Sequence, residues 1–343
     1  MADAGWTVMA ALDWTRDYLG RAGDEHPRRS AEWLLEDACG LSRLELYTRF
    51  DQPLTLQERA HLRAGVARRA AGEPLQYITA RAPFRHLELK VTPAVLIPRP
   101  ETEVLVDLAL EALSGQERRR RIELPPREPS SASGFPSRPL KPTLRSVSET
   151  RALSGDPTAG FPRAGSDTSP ALPVLDLGTG SGCVALSIAS EAGVPVTATD
   201  ISAEALAVAR ENAEALGLAD LIDLRQGDLF DALDPDERFE LIVCNPPYIA
   251  DADRKTLPPE VRDFEPATAL FAGPDGLDVC RRIIKDALCH LTANGVFIME
   301  LGQDNSRQAA AEAVKLDVYE SIDVLADLTG RDRFLRLRAR ASD

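Results

Sequence analysis

The run Val174-Leu175-Asp176-Leu177-Gly178-Thr179-Gly180-Ser181-Gly182 constrains the fold of this chain more than any other stretch. An apolar strand enters a turn with glycine at every second position, and a helical pattern, 183–192, follows. Glycine admits positive φ and lets a ligand approach the backbone, and a helix that starts there offers unpaired N–H groups. Downstream, short apolar segments at 196–199, 222–226, 241–244, 296–300, 322–325 and 332–337 read as strands. Helical patterns at 203–216, 277–291 and 305–314 separate most of them. This alternation predicts an α/β fold: a mainly parallel sheet with helices on both faces. A ligand is then expected at the carboxyl edge of the sheet.

Three successive strand ends carry the residues for such a ligand. The Gly178, Thr179, Gly180, Ser181, Gly182 turn departs from G-x-G-x-x-G, so a dinucleotide fits poorly. Asp200 ends the second strand, twenty residues after Gly180, where a carboxylate accepts ribose hydroxyls. Asp228 follows the third strand, placed to accept the exocyclic amine of adenine, with Leu229 beside it to pack on the ring. Together they predict a nucleoside pocket. Asp176, inside the first strand, reads as structural.

The fourth strand runs into Asn245-Pro246-Pro247-Tyr248. Two prolines cannot continue a central strand and impose a rigid turn at the same sheet edge. An amide or aromatic-amine nitrogen is a poor nucleophile because its lone pair is delocalised. Fixed acceptors for its two N–H groups, here Asn245 Oδ1 and the Pro246 carbonyl, draw density onto nitrogen and set its direction, while Tyr248 packs on the planar group. Positioning then does most of the work, and no strong base is required.

The rest of the chain divides by composition. Residues 1–73 read as a helical domain, with helices around 6–19, 30–38 and 41–47 and a fourth after Thr55, which has capping-box spacing with Glu58. Residues 74–114 read as a linker: strands at 77–79 and 87–91 forming a β-hairpin, then Pro98-Arg99-Pro100-Glu101-Thr102-Glu103 and an entry helix. Arg99 and Glu101 serve either as a rigid lead into that helix or as part of the active-site rim. Residues 115–171 are Pro/Ser/Gly/Arg-rich and read as a disordered insertion, either a nucleic-acid contact or a tolerated surface loop. Residues 172–343 form the ligand-binding domain.

The formal net charge of −14 disfavours stable binding to nucleic acid through phosphate contacts. Five scattered cysteines and four histidines make no metal-spaced set, so no metal is expected. Neither a membrane-spanning run nor a secretory leader is legible, and a cytoplasmic location is expected.

Residues 174–340 resemble the class I S-adenosylmethionine-dependent methyltransferases, which implies S-adenosyl-L-methionine as cofactor. In that fold Asn-Pro-Pro-Tyr is similar to the motif of enzymes that methylate exocyclic amines of nucleic-acid bases or glutamine side-chain amides, and does not choose between them. The stretch Glu73-Pro74-Leu75-Gln76-Tyr77-Ile78, the run from Leu96 through Glu103, and Phe264-Glu265-Pro266-Ala267-Thr268-Ala269-Leu270 do choose. With the helical domain, they resemble the release factor glutamine methyltransferase family over nearly the whole chain. The resemblance implies a Rossmann-like, seven-stranded, mainly parallel sheet with a small N-terminal helical domain joined by a β-hairpin linker. It implies methyl transfer to N5 of the glutamine in the Gly-Gly-Gln motif of class I peptide chain release factors, with the helical domain docking that partner. The cofactor positions matched are Gly178, Thr179, Gly180, Ser181, Gly182, Asp200 and Leu229, with Asp228 and Asn245 beside them. The substrate and catalytic positions are Asn245, Pro246, Pro247 and Tyr248. Two features depart from the family: Leu229 stands where members carry an aromatic residue, and 115–171 is absent or much shorter. The alternatives are an adenine-N6 nucleic-acid methyltransferase, a glutamine methyltransferase acting on a ribosomal protein, and a protein that binds without catalysing.

Overall fold

The computed structural model describes residues 6–115 and 173–340. The expected insertion, apart from Gly115, lies outside the described residues. The N-terminal helices are α1 (Val8–Arg21), α2 (Pro27–Cys39), α3 (Arg43–Thr48) and α4 (Leu56–Ala70). Each start has a chemical cause. Thr7 caps α1 through its hydroxyl, Pro27 opens α2, and Thr55 with Glu58 forms the expected capping box on α4. Ser42 and Glu45 form a second box, so α3 starts at Arg43 and not at Leu41. The helices enclose their own core, including Leu12, Leu19, Leu34, Leu35, Leu46 and Leu62.

The linker differs from expectation at one point. Residues 77–79 are not a strand: Leu75–Thr79 is a short helix, α5, started by Pro74 and closed by Ala80 at φ 54°. Thr79 Oγ1 donates back to the Leu75 carbonyl, and Tyr77 and Ile78 face two different apolar clusters. Three alternating residues cannot separate a period of two from a single helical turn. The hairpin lies one step later, β1 (Arg81–Phe84) against β2 (Leu87–Lys90), antiparallel. It leads into α6 (Pro100–Leu113).

The main sheet has the strands β3 (Val174–Leu177), β4 (Val196–Asp200), β5 (Ile222–Gln226), β6 (Phe239–Cys244), β7 (Leu291–Glu300), β8 (Tyr319–Ala326) and β9 (Asp332–Ala339), in the order β5-β4-β3-β6-β7-β9-β8. The first five are mutually parallel, and β9 inserts antiparallel between β7 and β8. The helices are α7 (Cys183–Ala192), α8 (Ala203–Ala215), α9 (Pro259–Phe264), α10 (Asp278–Asp286) and α11 (Asn305–Leu316). Successive residues of the central strands alternate between two cores: Leu175, Ile242, Cys244, Phe297 and Met299 on one side, Val174, Leu241, Val243, Val296 and Ile298 on the other. Burying each such side chain stabilises the fold by about 1.5–3 kcal/mol. Covered on both faces, these strands are continuously apolar, which is why they were legible.

Strand β7 starts five residues before the expected Val296. Leu291 pairs with Phe239, residues 292–295 bulge out with Asn294 at φ 64°, and pairing resumes at Val296. The helix expected over 277–291 accordingly ends at Asp286 and tightens into a 3-10 turn.

Candidate active site

The carboxyl ends of β3, β4, β5 and β6 open onto a cavity of about 370 Å³, within the roughly 300–1,000 Å³ usual for small-molecule sites. Gly178 and Gly180 line it with φ of 71° and 56°. A Cβ at either would meet no protein atom within 4 Å, so their backbones face open space. Gly182 does not line the cavity. Its φ is 83°, and a Cβ there would come 2.9 Å from Leu186 Cδ1, so it serves the close start of α7.

The loop is held from below. The Gly178 and Thr179 N–H groups donate to the Thr199 carbonyl at 2.8 and 2.9 Å, and Gly180 N–H donates to Asp200 Oδ2 at 2.8 Å. Asp200 also accepts from Ser202 N–H at 2.9 Å, yet burial raises its carboxyl above the ordinary range. Asp176 lies under the loop, accepting from Thr179 Oγ1 at 2.7 Å and Ala185 N–H at 3.2 Å. Burial pushes it up to about 7, the two hydrogen bonds opposing. Thr199 lines the cavity, and its buried Oγ1 has no protein partner.

Of the third pair, Leu229 lines the cavity with a left-handed backbone, φ 56°, strained for a residue with a Cβ. Asp228 is also at the wall, but its carboxylate is engaged by Arg282 at 2.8 Å. Ile201, more than half exposed, lines the same region.

Asn245, Pro246 and Pro247 reach the cavity, whereas Tyr248 does not line it. Tyr248 packs against the core next to Gly302, and its carbonyl accepts from Asn305 Nδ2 at 3.2 Å. Tyr248 is half-buried, with part of its surface left accessible. Asn245 Nδ2 donates to Thr102 Oγ1 at 3.1 Å.

The linker forms the opposite wall, with Leu96, Pro98, Arg99 and Thr102. Of the two residues held open by sequence, Arg99 is at the rim and Glu101 is exposed away from it. Arg99 pairs with buried Glu265 at 2.5 Å, which fixes the segment that brings Pro266, Thr268, Ala269 and Phe271 to the cavity. Sequence reasoning did not single out Thr102, Ile201 or Arg282. The partners that give them meaning lie far away in the chain, and no local pattern marks them.

A glycine turn and an Asn-Pro-Pro turn sharing one cavity, on a parallel sheet with its reversed strand inserted beside β7, define a methyltransferase of the class I fold. Residues 10–79 match the family model described as PrmC N-terminal domain, and residues 167–258 match the methyltransferase small domain. A release factor glutamine methyltransferase from Rhodopirellula baltica is 36% identical over 98% of this chain and 97% of its own. One from Geobacter sulfurreducens is 40% identical over 87% of this chain and 84% of its own. Among solved structures, a methyltransferase from Pyrococcus furiosus aligns with TM-score 0.38 and 19% identity, over 50% of this chain and 76% of its own. The chain belongs to the release factor glutamine methyltransferase family. Among the described residues, no helix is long and apolar enough to cross a membrane.

Proposed function

We propose that this chain transfers a methyl group from S-adenosylmethionine to the side-chain amide nitrogen of the glutamine in the Gly-Gly-Gln motif of a class I peptide chain release factor. The observation that carries this reading is the shared cavity: Gly178, Gly180 and Asp200 on one side, Asn245 and Pro246 on the other. S-adenosylmethionine supplies a methyl group made electrophilic by its sulfonium.

The residues present fit that group. The open backbone faces of Gly178 and Gly180 leave room that any side chain would fill. Asp200, anchored by two backbone N–H groups, retains lone pairs for ribose hydroxyls. Ile201 and Leu229 give the base apolar contact. Asp228 is held by Arg282, so its acceptance of an exocyclic amine shares that carboxylate with a guanidinium. Thr179, Ser181 and Gly182 shape the loop. The fit of Leu229 in place of an aromatic residue leaves a smaller packing surface for the base.

On the substrate side, Asn245 Oδ1 and the Pro246 carbonyl accept the two N–H groups of the glutamine amide, and Pro247 keeps the turn rigid. This holds the amide planar, with its nitrogen facing the methyl donor. The product carries N–CH₃ in place of one N–H, with the donor sulfonium left as a thioether and the displaced proton released to solvent. Tyr248 supports the turn from the core side.

Incubation with a purified release factor and mass mapping of its peptides tests this directly. One added methyl on the Gly-Gly-Gln glutamine is expected, and a methyl confined to any other residue contradicts the reading. An adenine substrate is the second reading because Asn-Pro-Pro-Tyr serves both chemistries, and the net charge of −14 weighs against it.

A further inference from the structure

Strand β7 ends in an apolar, fully buried run, Val296 to Met299 and then Leu301, interrupted by one carboxylate, Glu300, which is 1% exposed. A buried carboxylate is costly unless its oxygens find donors. Glu300 Oε2 has no hydrogen-bond partner. The Thr102 side chain, itself 1% exposed, lies within reach of the Glu300 carboxyl. Packing alone does not account for a charge in this position.

The register places it. Cys244 pairs with Met299 in the parallel β6–β7 ladder, so the next residues, Asn245 and Glu300, lie side by side at the carboxyl edge of the sheet. Thr102, in the first turn of α6, accepts from Asn245 Nδ2 through its Oγ1 at 3.1 Å, and its own hydrogen has the Glu300 carboxyl within reach. A threonine hydroxyl has a single hydrogen, and an ionised carboxylate only accepts. Given to Glu300, that hydrogen leaves Thr102 nothing but lone pairs to offer Asn245. Asn245 must then present Nδ2 to Thr102 and turn Oδ1 the other way. The flipped amide would set one acceptor against another, or draw the hydrogen off a carboxylate already short of donors.

We propose that Thr102 donates its hydrogen to Glu300 and that the two are positioning residues that lock the side-chain amide of Asn245 with Oδ1 toward the methyl acceptor. The proposal rests on the function argued above, in which Oδ1 accepts an N–H of the substrate amide. Without the lock, the amide rotates and presents N–H groups to N–H groups, and the acceptor nitrogen loses its alignment. Neither Thr102 nor Glu300 exchanges a proton with substrate in this scheme.

The test compares wild type with Thr102→Val, Thr102→Ser and Glu300→Gln, well above neutral pH. It measures kcat and KM for a release factor, affinity for S-adenosylmethionine by calorimetry, and thermal unfolding. Valine keeps the shape of threonine and removes the hydroxyl, whereas serine keeps the hydroxyl. The expected result is a kcat for Thr102→Val lower by about 10- to 100-fold, with cofactor affinity and KM within a few-fold of wild type, and recovery of most of the rate in Thr102→Ser. Glu300→Gln, whose amide both donates and accepts, is expected to lower kcat without raising KM. Equal kcat for Thr102→Val and wild type overturns the proposal. So does an equal loss in the valine and serine variants, which would assign Thr102 to packing, or a Glu300→Gln enzyme with wild-type kcat. If wild type itself transfers no methyl to the release factor, the function on which the proposal rests fails, a result separate from any difference among the variants.

Discussion

At the scale of single residues, the chemistry turns on acceptors held in fixed directions. Asn245→Ala removes one acceptor and leaves the glycine loop and Asp200 untouched. Methyl transfer is expected to fall by at least ~100-fold, the usual size of losing one preorganised hydrogen bond at a reacting centre. Calorimetric affinity for S-adenosylmethionine should change little, and retention of near-normal transfer would remove Asn245 from the mechanism. Buried carboxyls shape the pH response of folding, Asp176 and Glu300 among them. Burial raises Asp176 from 3.8 to about 7 and Glu300 from 4.5 to about 7. Between those limits the folded chain holds protons that the unfolded chain has released, so stability falls as pH rises through this window. Asp176→Asn is expected to flatten that fall. Melting temperatures measured across the window for both proteins check it, and parallel curves would show that Asp176 is not the group responsible.

At the scale of elements, the glycine turn separates two jobs that its sequence shows as one motif. Gly180→Ala forces a Cβ into left-handed backbone, at roughly 1–2 kcal/mol, and places it in open space at the cavity. Weaker cofactor binding with a modest loss of stability is expected. Gly182→Ala drives its Cβ to 2.9 Å from the buried Leu186 side chain, and a larger loss, about 1–3 kcal/mol, should appear in denaturant unfolding. If the two variants lose affinity and stability alike, the division of labour is wrong. The same scale explains what was legible in the sequence. Val174–Leu177 was readable as a short run buried throughout, and Ile222–Gln226 by the alternation of Ile222 and Leu224 with polar residues. The Leu75–Thr79 helix was missed because five residues carry no decisive period, and the bulge before Val296 because register is a property of two strands. Asn245 announced itself through its prolines, whereas Thr102 lies 143 residues from it in sequence and Glu300 in another strand again. The contact of the Tyr248 ring edge with the position of Gly302 was not legible, because it joins residues from two different strand ends.

At the scale of the whole molecule, the helical block is tied to the sheet beside the active-site rim. Arg69 of α4 pairs with Asp24 at 2.7 Å and with Glu260 of α9 at 3.0 Å, and α9 leads directly to Glu265 and its bond to Arg99. Arg69→Ala leaves Asp24, 3% exposed, with only Ser30 and the His26 N–H as donors. A destabilisation of about 1–3 kcal/mol is expected in urea unfolding, and an unchanged midpoint would show the tie to be incidental. Deletion of residues 118–168, whose composition carries almost no apolar periodicity, is expected to leave methyl transfer intact. Loss of folding on deletion would contradict that expectation. The central claim, that the acceptor is a release factor glutamine, is tested most directly by offering the enzyme labelled S-adenosylmethionine and three acceptors in parallel: a release factor, its Gly-Gly-Gln variant with Gln→Ala, and duplex DNA. Label on the unaltered factor alone is the predicted result, and label on the DNA, or equal label on the alanine variant, would contradict it.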